Sequence, residues 1–262
     1  MKSVIEFQKF RDSRRKISMV TCYDYWSARI ISSTDIDAVL VGDSASMVMH
    51  GFETTTSANL DMIKSHVLAV NKGLKDKLLI ADLPFLAHRK GLKALMEGVD
   101  TLIKSGAQAV KIEGAGDNTD LIRHVVNSGV PVMGHIGLTP QSILKIGGFK
   151  VQGKDHSSAD GLLDAARDLE QAGCFGIVLE LVPSEVGREI TEKLNIPTIG
   201  IGAGKFTSGQ VLVLQDLLGV DNEFNPKFLR KYLNGFDLIK NALNNYNYDV
   251  KNLQFPAEEE SY

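Results

Sequence analysis

Short apolar runs that each end in an acidic residue recur along this chain and limit what it can fold into. The clearest runs are Val39–Asp43, Leu78–Asp82, Ala109–Glu113 and Ile177–Glu180. A continuous run of Val, Leu, Ile and Ala is typical of a strand that is buried on both faces. Because an unpaired carboxylate is very costly to bury, each acid must lie in water at a strand end or bind a cation.

Predicted strands alternate with predicted helices along the chain. We predict strands over Lys16–Cys22, Ala38–Gly42, Lys77–Leu83, Ala109–Ile112, Val130–Met133, Gly176–Leu179, Thr198–Ile201 and Gln210–Leu214. Strands this apolar need both faces covered, which favours a parallel sheet with helices outside it. Eight βα units favour a (β/α)8 TIM barrel, with residues 1–262 as a single domain. The absence of a GxGxxG motif after the first strand argues against a doubly wound dinucleotide-binding sheet.

The remaining segments are assigned to helices and loops. We predict helices over Ser27–Ser33, Ser57–Leu74, Leu92–Ser105, Asp117–Val126, Ser158–Ala172, Pro183–Leu194 and Asn225–Asn244. Ser57 and Asp117 are expected to cap their helices. Met47–Thr56 and Leu138–Ser157 are expected to be loops, the second long enough to indicate a functional or mobile segment. The polar tail Tyr246–Tyr262 is expected to pack at an interface or to be disordered.

Composition narrows the functional class. The net charge is -3 at pH 7, and the dense basic run Arg11–Lys16 is interpreted as a solvated segment rather than a nucleic-acid surface. No apolar run approaches the ~20 residues that cross a bilayer, and Met1–Phe10 lacks the apolar core of a signal peptide. Cys22 and Cys174 are far apart and are expected to be free thiols. We therefore predict a cytoplasmic protein without nucleic-acid or membrane partners.

The predicted barrel brings the acidic residues together. Active sites of (β/α)8 barrels lie at the C-terminal ends of the strands. The side chains expected around this mouth are Asp43, Asp82, Glu113, His135 and Glu180. Taken alone, each acid is compatible with a helix cap or a solvated residue. Taken together, the carboxylates would repel one another, unless shared protons or a bound cation reduced this repulsion. Oxygen ligands without Cys or paired His favour Mg2+ over Zn2+.

For each of the other polar or small residues near the strand ends, both a structural and a functional role are compatible with the sequence. Lys111 shares a strand face with Glu113, so it pairs with an acid or binds an anionic substrate, unless it points to the helix side. Ser44 either caps the next helix or contacts a ligand, and His135 is either a structural histidine or a functional one. The turn Ile199–Gly204 either binds a phosphate through its N–H groups or lets another group approach closely.

Stretches of sequence, in order along the chain, resemble the ketopantoate hydroxymethyltransferase family. They are Thr21–Tyr25, Leu40–Ser44, Ala81–Phe85, Val110–Gly114, Gly134–Ser142, Gly147–Gly153 and Ile199–Gly204. The resemblance spans nearly the whole chain, and His135–Ser142 and Gly148–Gly153 are its most specific parts. It implies a (β/α)8 barrel that assembles into a homo-oligomer, typically a decamer.

The resemblance also implies an activity and a metal. The family transfers a hydroxymethyl group from 5,10-methylenetetrahydrofolate to the 2-oxo acid 3-methyl-2-oxobutanoate. The product, ketopantoate, begins pantothenate biosynthesis. The implied metal is one Mg2+ per subunit, held by Asp43 and Asp82, with Glu113 completing the site directly or through water.

Substrate and catalytic roles follow from the same resemblance. The implied substrate-binding residues are Asp43, Ser44, Asp82, Lys111 and His135. Glu180 is implied as the general base that removes the C3 proton. The chain departs from the family pattern at Ala45-Ser46, where Leu-Gly is usual, and at Lys205–Gln210, where Asp-Gly-Gln is common; neither departure touches an implied ligand.

Two other functions are compatible with the same residues. One is a Mg2+-dependent carbon–carbon lyase or mutase of the phosphoenolpyruvate mutase type, which shares the barrel and the acidic metal site. Against it, no catalytic cysteine lies in a loop like that of the lyases, and the stretch around His135 does not belong to that group. The other is a non-catalytic barrel that binds a small anion or another subunit.

Overall fold

A computed structural model describes residues 3–262, apart from the side chain of Ile146. Eight parallel strands close into a barrel in sequence order, so the predicted (β/α)8 fold is confirmed. The strands are β1 (Ile17–Thr21), β2 (Ala38–Val41), β3 (Leu78–Asp82), β4 (Ala109–Glu113), β5 (Val132–Gly137), β6 (Gly176–Glu180), β7 (Thr198–Ile201) and β8 (Gly209–Leu212). The first strand pairs with both β2 and β8, which closes the barrel.

Helices alternate with these strands. In the described residues the α-helices are α1 (Val4–Asp12), α2 (Tyr25–Ser32), α3 (Ala45–Val48), α4 (Leu60–Gly73), α5 (Leu92–Lys104), α6 (Thr119–Asn127), α7 (Ile143–Ile146), α8 (His156–Gln171), α9 (Ser184–Lys193), α10 (Leu214–Leu217) and α11 (Gly235–Lys251). The chain divides into two compact units, Met1–Val213 and Leu214–Tyr262. The single domain over residues 1–262 stays a prediction, and its first two residues lie outside the described ones.

Apolar side chains fill the N-terminal half of the barrel interior. Phe7 of α1 is fully buried and meets the edge of Phe175, with ring centroids 5.4 Å apart. The buried cluster consists of Phe7, Ile17, Met19, Ala38, Leu40, Leu78, Ile80, Ala109, Met133, Val178, Ile199 and Val211. Burial of this apolar surface stabilises the barrel by roughly 0.8 kcal/mol for each CH2 group removed from water.

The inward rows of side chains change character towards the C-terminal ends of the strands. Alternate residues of a strand share a face, so the residue two positions after a core residue also points into the barrel. The rows that change from apolar to charged are Ile80–Asp82 in β3, Ala109–Lys111–Glu113 in β4, Met133–His135 in β5 and Val178–Glu180 in β6. The strands therefore deliver a set of ionisable groups to one mouth.

Two predicted helix starts are wrong because short 3-10 turns precede the helices. Ser57 ends the turn Thr55–Ser57, and the side chain of Asn59 caps α4 by accepting a bond from the backbone N–H of Met62 (2.9 Å). Asp117 likewise lies in a 3-10 turn, Gly116–Asn118, ahead of α6.

The two segments predicted as loops contain helical turns. The short helix α3 begins at Ala45, two residues before the first segment, and ends inside it at Val48. The second contains a 3-10 turn, Pro140–Ser142, and then α7. The fifth strand begins later than predicted because Pro131 has no N–H to donate and the N–H of Val130 bonds back to Val125. The strand then continues through His135 to Gly137.

The C-terminal helix was predicted too early in the sequence. Residues 225–234 are turns, bends and irregular backbone, and α11 spans Gly235–Lys251, so the first part of the predicted polar tail is helical. Gly235 is buried, and a Cβ at this position would press on the carbonyl oxygen of Leu218. Within the described part of the chain, no helix combines the length and apolar character needed to cross a membrane.

Candidate active site

Strand register brings the ionisable residues of the C-terminal mouth side by side. Asp82 of β3 is the register partner of Lys111 in β4, and Glu113 of β4 is the partner of His135 in β5. All four side chains are at most 5 % exposed. Glu180 ends β6 next to them, and at 18 % exposure its side chain is more open to solvent. The expectation that these residues gather at one mouth is thus met by their positions.

Asp43 follows β2 and is held by two neighbouring groups. Its backbone N–H donates to Oδ2 of Asp82 (3.0 Å), and its own Oδ2 accepts a hydrogen bond from Nε2 of Gln141 (2.8 Å). Burial, together with the charges of Asp82 and Glu113, raises the pKa of Asp43 well above its usual range. Burial also raises the pKa of Asp82, although the ammonium of Lys111 opposes this shift. This pair of buried acids therefore favours an additional positive charge.

Lys111 points into the mouth rather than towards the helices. Its Nζ lies 3.0 Å from Oδ1 of Asp82 and 3.9 Å from Oε1 of Glu113. Burial alone would lower the pKa of Lys111, but the surrounding carboxylates, led by Asp82, outweigh burial and raise it. The side chain therefore remains a buried ammonium that can face an anion.

His135 bridges two carboxylates. Its Nδ1 lies 3.2 Å from Oε1 of Glu113, and its Nε2 lies 3.2 Å from Oε2 of Glu180. Burial and the nearby Lys111 would lower the pKa of His135, but the two glutamates outweigh them and raise it to about 9. Burial would raise the pKa of Glu113, yet His135 and Lys111 lower it. His135 therefore stands between Glu113 and Glu180, and Nζ of Lys111 also lies 3.2 Å from its Nδ1.

Ser44 is held by a tyrosine and does not cap the helix that follows it. Its hydroxyl lies 2.7 Å from the hydroxyl of the buried Tyr23, and its side chain makes no capping bond to α3. A Cβ on Gly42 would lie 2.9 Å from Oγ of Ser44. Glycine at that position therefore gives the serine room to turn back towards the mouth.

Gln141 is a site residue that the sequence analysis did not single out. Its Nε2 donates to Oδ2 of Asp43 (2.8 Å) and to the carbonyl oxygen of Leu83 (2.9 Å), and its backbone N–H donates to Oε2 of Glu113 (3.0 Å). An amide carries no charge, so nothing in the pattern of strands and acids marked it. The available signal was its place inside the specific stretch that follows His135.

The residues at the mouth have the chemistry that suits a hard divalent cation. Among the residues described, the buried atoms Oδ1 of Asp82 and Oε1 of Glu113 face cationic groups yet accept no hydrogen bond of good geometry. Carboxylate oxygens are the donors that Mg2+ and similar ions prefer. Over residues 3–262 no three Asp, Glu, His or Cys side chains already form a metal-binding cluster. Asp43, Asp82 and Glu113 carry the carboxylates that could hold such an ion, and the last two are also paired with Lys111 and His135.

The glycine-rich turn after β7 serves close packing within the chain. Gly204 has a positive φ of 79°, and a Cβ on it would overlap the side chain of Ser184, the first residue of α9. Only a residue without Cβ adopts this conformation against the helix without strain. The turn therefore has a structural explanation that does not need a phosphate.

Fold and site together define a class of protein: a (β/α)8 barrel whose mouth carries buried carboxylates that could hold a hard cation, next to a buried ammonium that could face an anion. The family model described as ketopantoate hydroxymethyltransferase matches residues 2–258. The 3-methyl-2-oxobutanoate hydroxymethyltransferase of Francisella tularensis subsp. novicida (strain U112) is 55% identical over 262 residues, covering 100% of this chain and 99% of that protein. The protein of the same name from Bdellovibrio bacteriovorus is 54% identical over 262 residues, covering 100% of each chain.

This chain belongs to the ketopantoate hydroxymethyltransferase family. The family expected from the sequence is confirmed, and with it the expectation of an enzyme that transfers a hydroxymethyl group. Membership implies a metal ion, a folate co-substrate and small-molecule substrates.

A solved structure of 2,3-dimethylmalate lyase, a member of the PEP mutase/isocitrate lyase superfamily, has a similar fold. It is 14% identical to this chain, with a TM-score of 0.57, and the match covers 100% of this chain and 92% of the lyase. At that identity the similarity shows the fold alone. It therefore gives no support to the alternative lyase function.

Proposed function

We propose that this enzyme transfers a hydroxymethyl group from 5,10-methylenetetrahydrofolate to 3-methyl-2-oxobutanoate and so forms ketopantoate, the first step of pantothenate biosynthesis. The observation that carries the proposal is the buried set of carboxylates around Lys111 and His135 at the mouth of the barrel. It supplies ligands for a cation, a positive charge for an acid and a candidate base, within one family-matched chain.

Metal binding is assigned to the acids of β2 and β3. Asp43 and Asp82 would hold one Mg2+ per subunit, with Glu113 completing the site directly or through water. When bound, Mg2+ polarises the keto group of the substrate and so makes the neighbouring C3–H more acidic. The buried carboxylate pair supports this assignment. Burial, together with the charges of Asp82 and Glu113, raises the pKa of Asp43, and a cation relieves the repulsion between these charges.

Substrate binding is assigned to the cationic and hydroxyl groups beside the metal ligands. Asp43 and Asp82 would contact the substrate through the metal. The ammonium of Lys111 would face the charge on the 2-oxo acid, and Ser44 would donate a hydrogen bond to its carboxylate. Electrostatic stabilisation of this kind is strong because the donors are fixed in a dry site before the substrate arrives. The contact between Tyr23 and Ser44 (2.7 Å) supports a fixed orientation of the serine.

Proton transfer is assigned to Glu180. Its greater exposure, 18 % against 2–5 % for its neighbours, leaves it the carboxylate most open to a bound molecule. His135 holds Oε2 of Glu180 at 3.2 Å and would also contact the substrate. The C3 proton passes to Glu180. Water adds to the methylene carbon of the co-substrate, both C–N bonds to that carbon break, and the two protons of water pass to the two nitrogens, which leaves tetrahydrofolate and formaldehyde. C3 then attacks the carbon of formaldehyde, and the oxygen takes the proton from Glu180 to become the hydroxyl group of ketopantoate.

The assembly and location of the enzyme belong to the same proposal. The enzyme is proposed to form a homo-oligomer, specifically a decamer, in the cytoplasm. Both proposals rest on the family resemblance. Two cysteines that are buried and free support a reducing compartment.

The test is NMR of 3-methyl-2-oxobutanoate in D2O with the enzyme and Mg2+, followed by addition of 5,10-methylenetetrahydrofolate. We expect deuterium at C3 in the first stage and ketopantoate in the second. A protein that forms no ketopantoate would overturn the proposed function. Cleavage of a carbon–carbon bond without folate would instead favour the lyase alternative.

The variant Glu180→Gln tests the proton step. It should still bind Mn2+ and the oxo acid, yet lose C3 exchange by a factor of about 100 or more, since general bases contribute about 10²–10⁴-fold. Glu185→Gln removes an exposed carboxylate (67 % exposed) from α9 and serves as the matched control. Normal exchange by Glu180→Gln would sink the assignment of the base.

A further inference from the structure

We propose that Gln141 is a positioning residue of the metal site, which fixes the carboxylate of Asp43 in the orientation that binds the cation. This inference rests on the proposed function. The side chain of Gln141 is 6 % exposed and stands between the loop after β5 and the ends of β2 and β3. It is uncharged and needs no contact with the substrate to act.

The amide of Gln141 has one orientation that satisfies its neighbours. Both bonds of Nε2 are donated, to Oδ2 of Asp43 (2.8 Å) and to the carbonyl oxygen of Leu83 (2.9 Å). Turning the amide over would place its oxygen against the carbonyl oxygen of Leu83 and against Oδ2 of Asp43, and both of these only accept hydrogen bonds when Asp43 is ionised, as a metal ligand is. The donated pair therefore ties the carboxylate of Asp43 to the backbone at the end of β3, where Asp82 also lies.

Fixing a ligand through a neighbouring group is a general property of metal sites. Carboxylate ligands are themselves hydrogen-bonded, and loss of such a partner lowers metal affinity by about 10–100-fold. Gln141 donates its hydrogen bond to Oδ2 of Asp43. It makes no bond to Oδ1, the other carboxylate oxygen. It thus sets which side of the carboxylate faces the mouth.

A second bond links the same residue to the third acid. The backbone N–H of Gln141 donates to Oε2 of Glu113 (3.0 Å), while Oε1 of Gln141 is buried without a hydrogen-bond partner among the residues of known placement. A side-chain substitution keeps the backbone bond to Glu113. It therefore removes only the two side-chain bonds, to Asp43 and to the carbonyl oxygen of Leu83.

The test is Gln141→Met, which has a similar volume and removes both donations. Mn2+ serves as the probe, and its dissociation constant is measured by electron paramagnetic resonance without substrate. We expect that constant to rise by about 10–100-fold. Gln8→Met is the matched control, because Nε2 of Gln8 also donates to an aspartate, Asp12 (2.8 Å), and to a backbone carbonyl, that of Asn195 (2.9 Å).

The Mn2+ affinity of the folded protein distinguishes a residue that positions the metal ligand from one that only stabilises the fold. A residue that only stabilises the fold would lower the metal-free Tm and leave the Mn2+ dissociation constant of the folded fraction unchanged; that result would overturn the proposal. If Gln141→Met does not fold, Gln141→Asn keeps an amide at the site but is one methylene too short to reach both acceptors. It should also weaken Mn2+ binding, and unchanged binding would again overturn the proposal.

The outcomes also separate this inference from the proposed function. Normal Mn2+ binding by Gln141→Met, with C3 exchange intact in the unaltered protein, rejects the role of Gln141 and leaves the proposed function standing. Failure of the unaltered protein to bind Mn2+ rejects the metal site itself, and the role of Gln141 with it.

Discussion

The two halves of the barrel interior are built from the same strands and differ in chemistry. The N-terminal half holds apolar side chains such as Ile80 and Met133. Two residues further along the same strands, the C-terminal half holds Asp82 and His135, which are just as deeply buried. Two residues along a strand therefore separate the region that stabilises the fold from the region that is available for binding.

The energetic difference between the halves follows from burial. An apolar side chain gains free energy when it leaves water, whereas a buried charge loses its hydration and depends on its partners. The charged half is stable only as a set, with Lys111 next to Asp82 and His135 next to Glu113. Removing one member should therefore cost more than removing an apolar side chain of similar size.

Lys111→Met should cause the largest loss of stability. It leaves Asp82 and Glu113 buried beside each other without their ammonium, and breaking a buried ion pair costs about 3–5 kcal/mol. The measurement is urea denaturation of the metal-free protein. Lys104→Met is the control, because Lys104 is 75% exposed and its pair with Asp100 should contribute less than about 1 kcal/mol. Equal losses in the two variants would contradict the contrast between the halves.

Ile80→Ala tests the apolar half by itself. Ile80 is fully buried, and such a truncation costs about 2–5 kcal/mol. The Mn2+ dissociation constant of the folded variant should stay within about twofold of the unaltered value, since no ligand loses a hydrogen-bonded partner. Ile30→Ala, at an exposed position of α2, should change stability by less than about 0.5 kcal/mol. A large loss of metal affinity in Ile80→Ala would show that the halves are not separable.

The sequence was sufficient to predict the barrel and the residues of the charged half. Apolar strands such as Ala38–Val41 and Leu78–Asp82 carry a strong signal, because both faces of each must be buried. The alternation within a strand then places Lys111 and Glu113 on one inward row. These inferences need only local sequence and the rule that barrel sites lie at the C-terminal ends of strands.

Features that depend on contacts distant in sequence were out of reach. Gln141 meets Asp43 across 98 positions of sequence, and no local pattern encodes that contact. Helix starts failed for a related reason, since Ser57 and Asn59 are both good caps and the 3-10 turn before α4 decides between them. The start of α11 was missed because the packing of Gly235 against Leu218, rather than helix propensity, marks it.

The double variant Asp82→Asn/Lys111→Met makes the charged half more like the apolar half. Removing both members of the pair leaves no uncompensated charge at position 82, while Glu113 keeps His135 as its partner, and replacement of a whole buried pair is often neutral or stabilising. We expect the free energy of unfolding to return to within about 1 kcal/mol of the unaltered protein, with Mn2+ binding lost because one proposed ligand is gone. If the double variant is as unstable as Lys111→Met alone, the pair is not the source of the cost.

Tyr23→Phe should have the smallest effect, and it probes the edge of the charged half. It removes the hydroxyl that lies 2.7 Å from Oγ of Ser44, a hydrogen bond that contributes about 0.5–1.5 kcal/mol to stability. If Ser44 binds the substrate carboxylate, its loss of orientation should raise KM for 3-methyl-2-oxobutanoate and leave kcat nearly unchanged, because ground state and transition state lose the same contact. Steady-state kinetics measure both constants, and Tyr25→Phe, at an exposed position of α2, is the control. A fall in kcat at unchanged KM would instead place the Tyr23–Ser44 pair at the reacting centre and extend the functional half of the barrel to the end of β1.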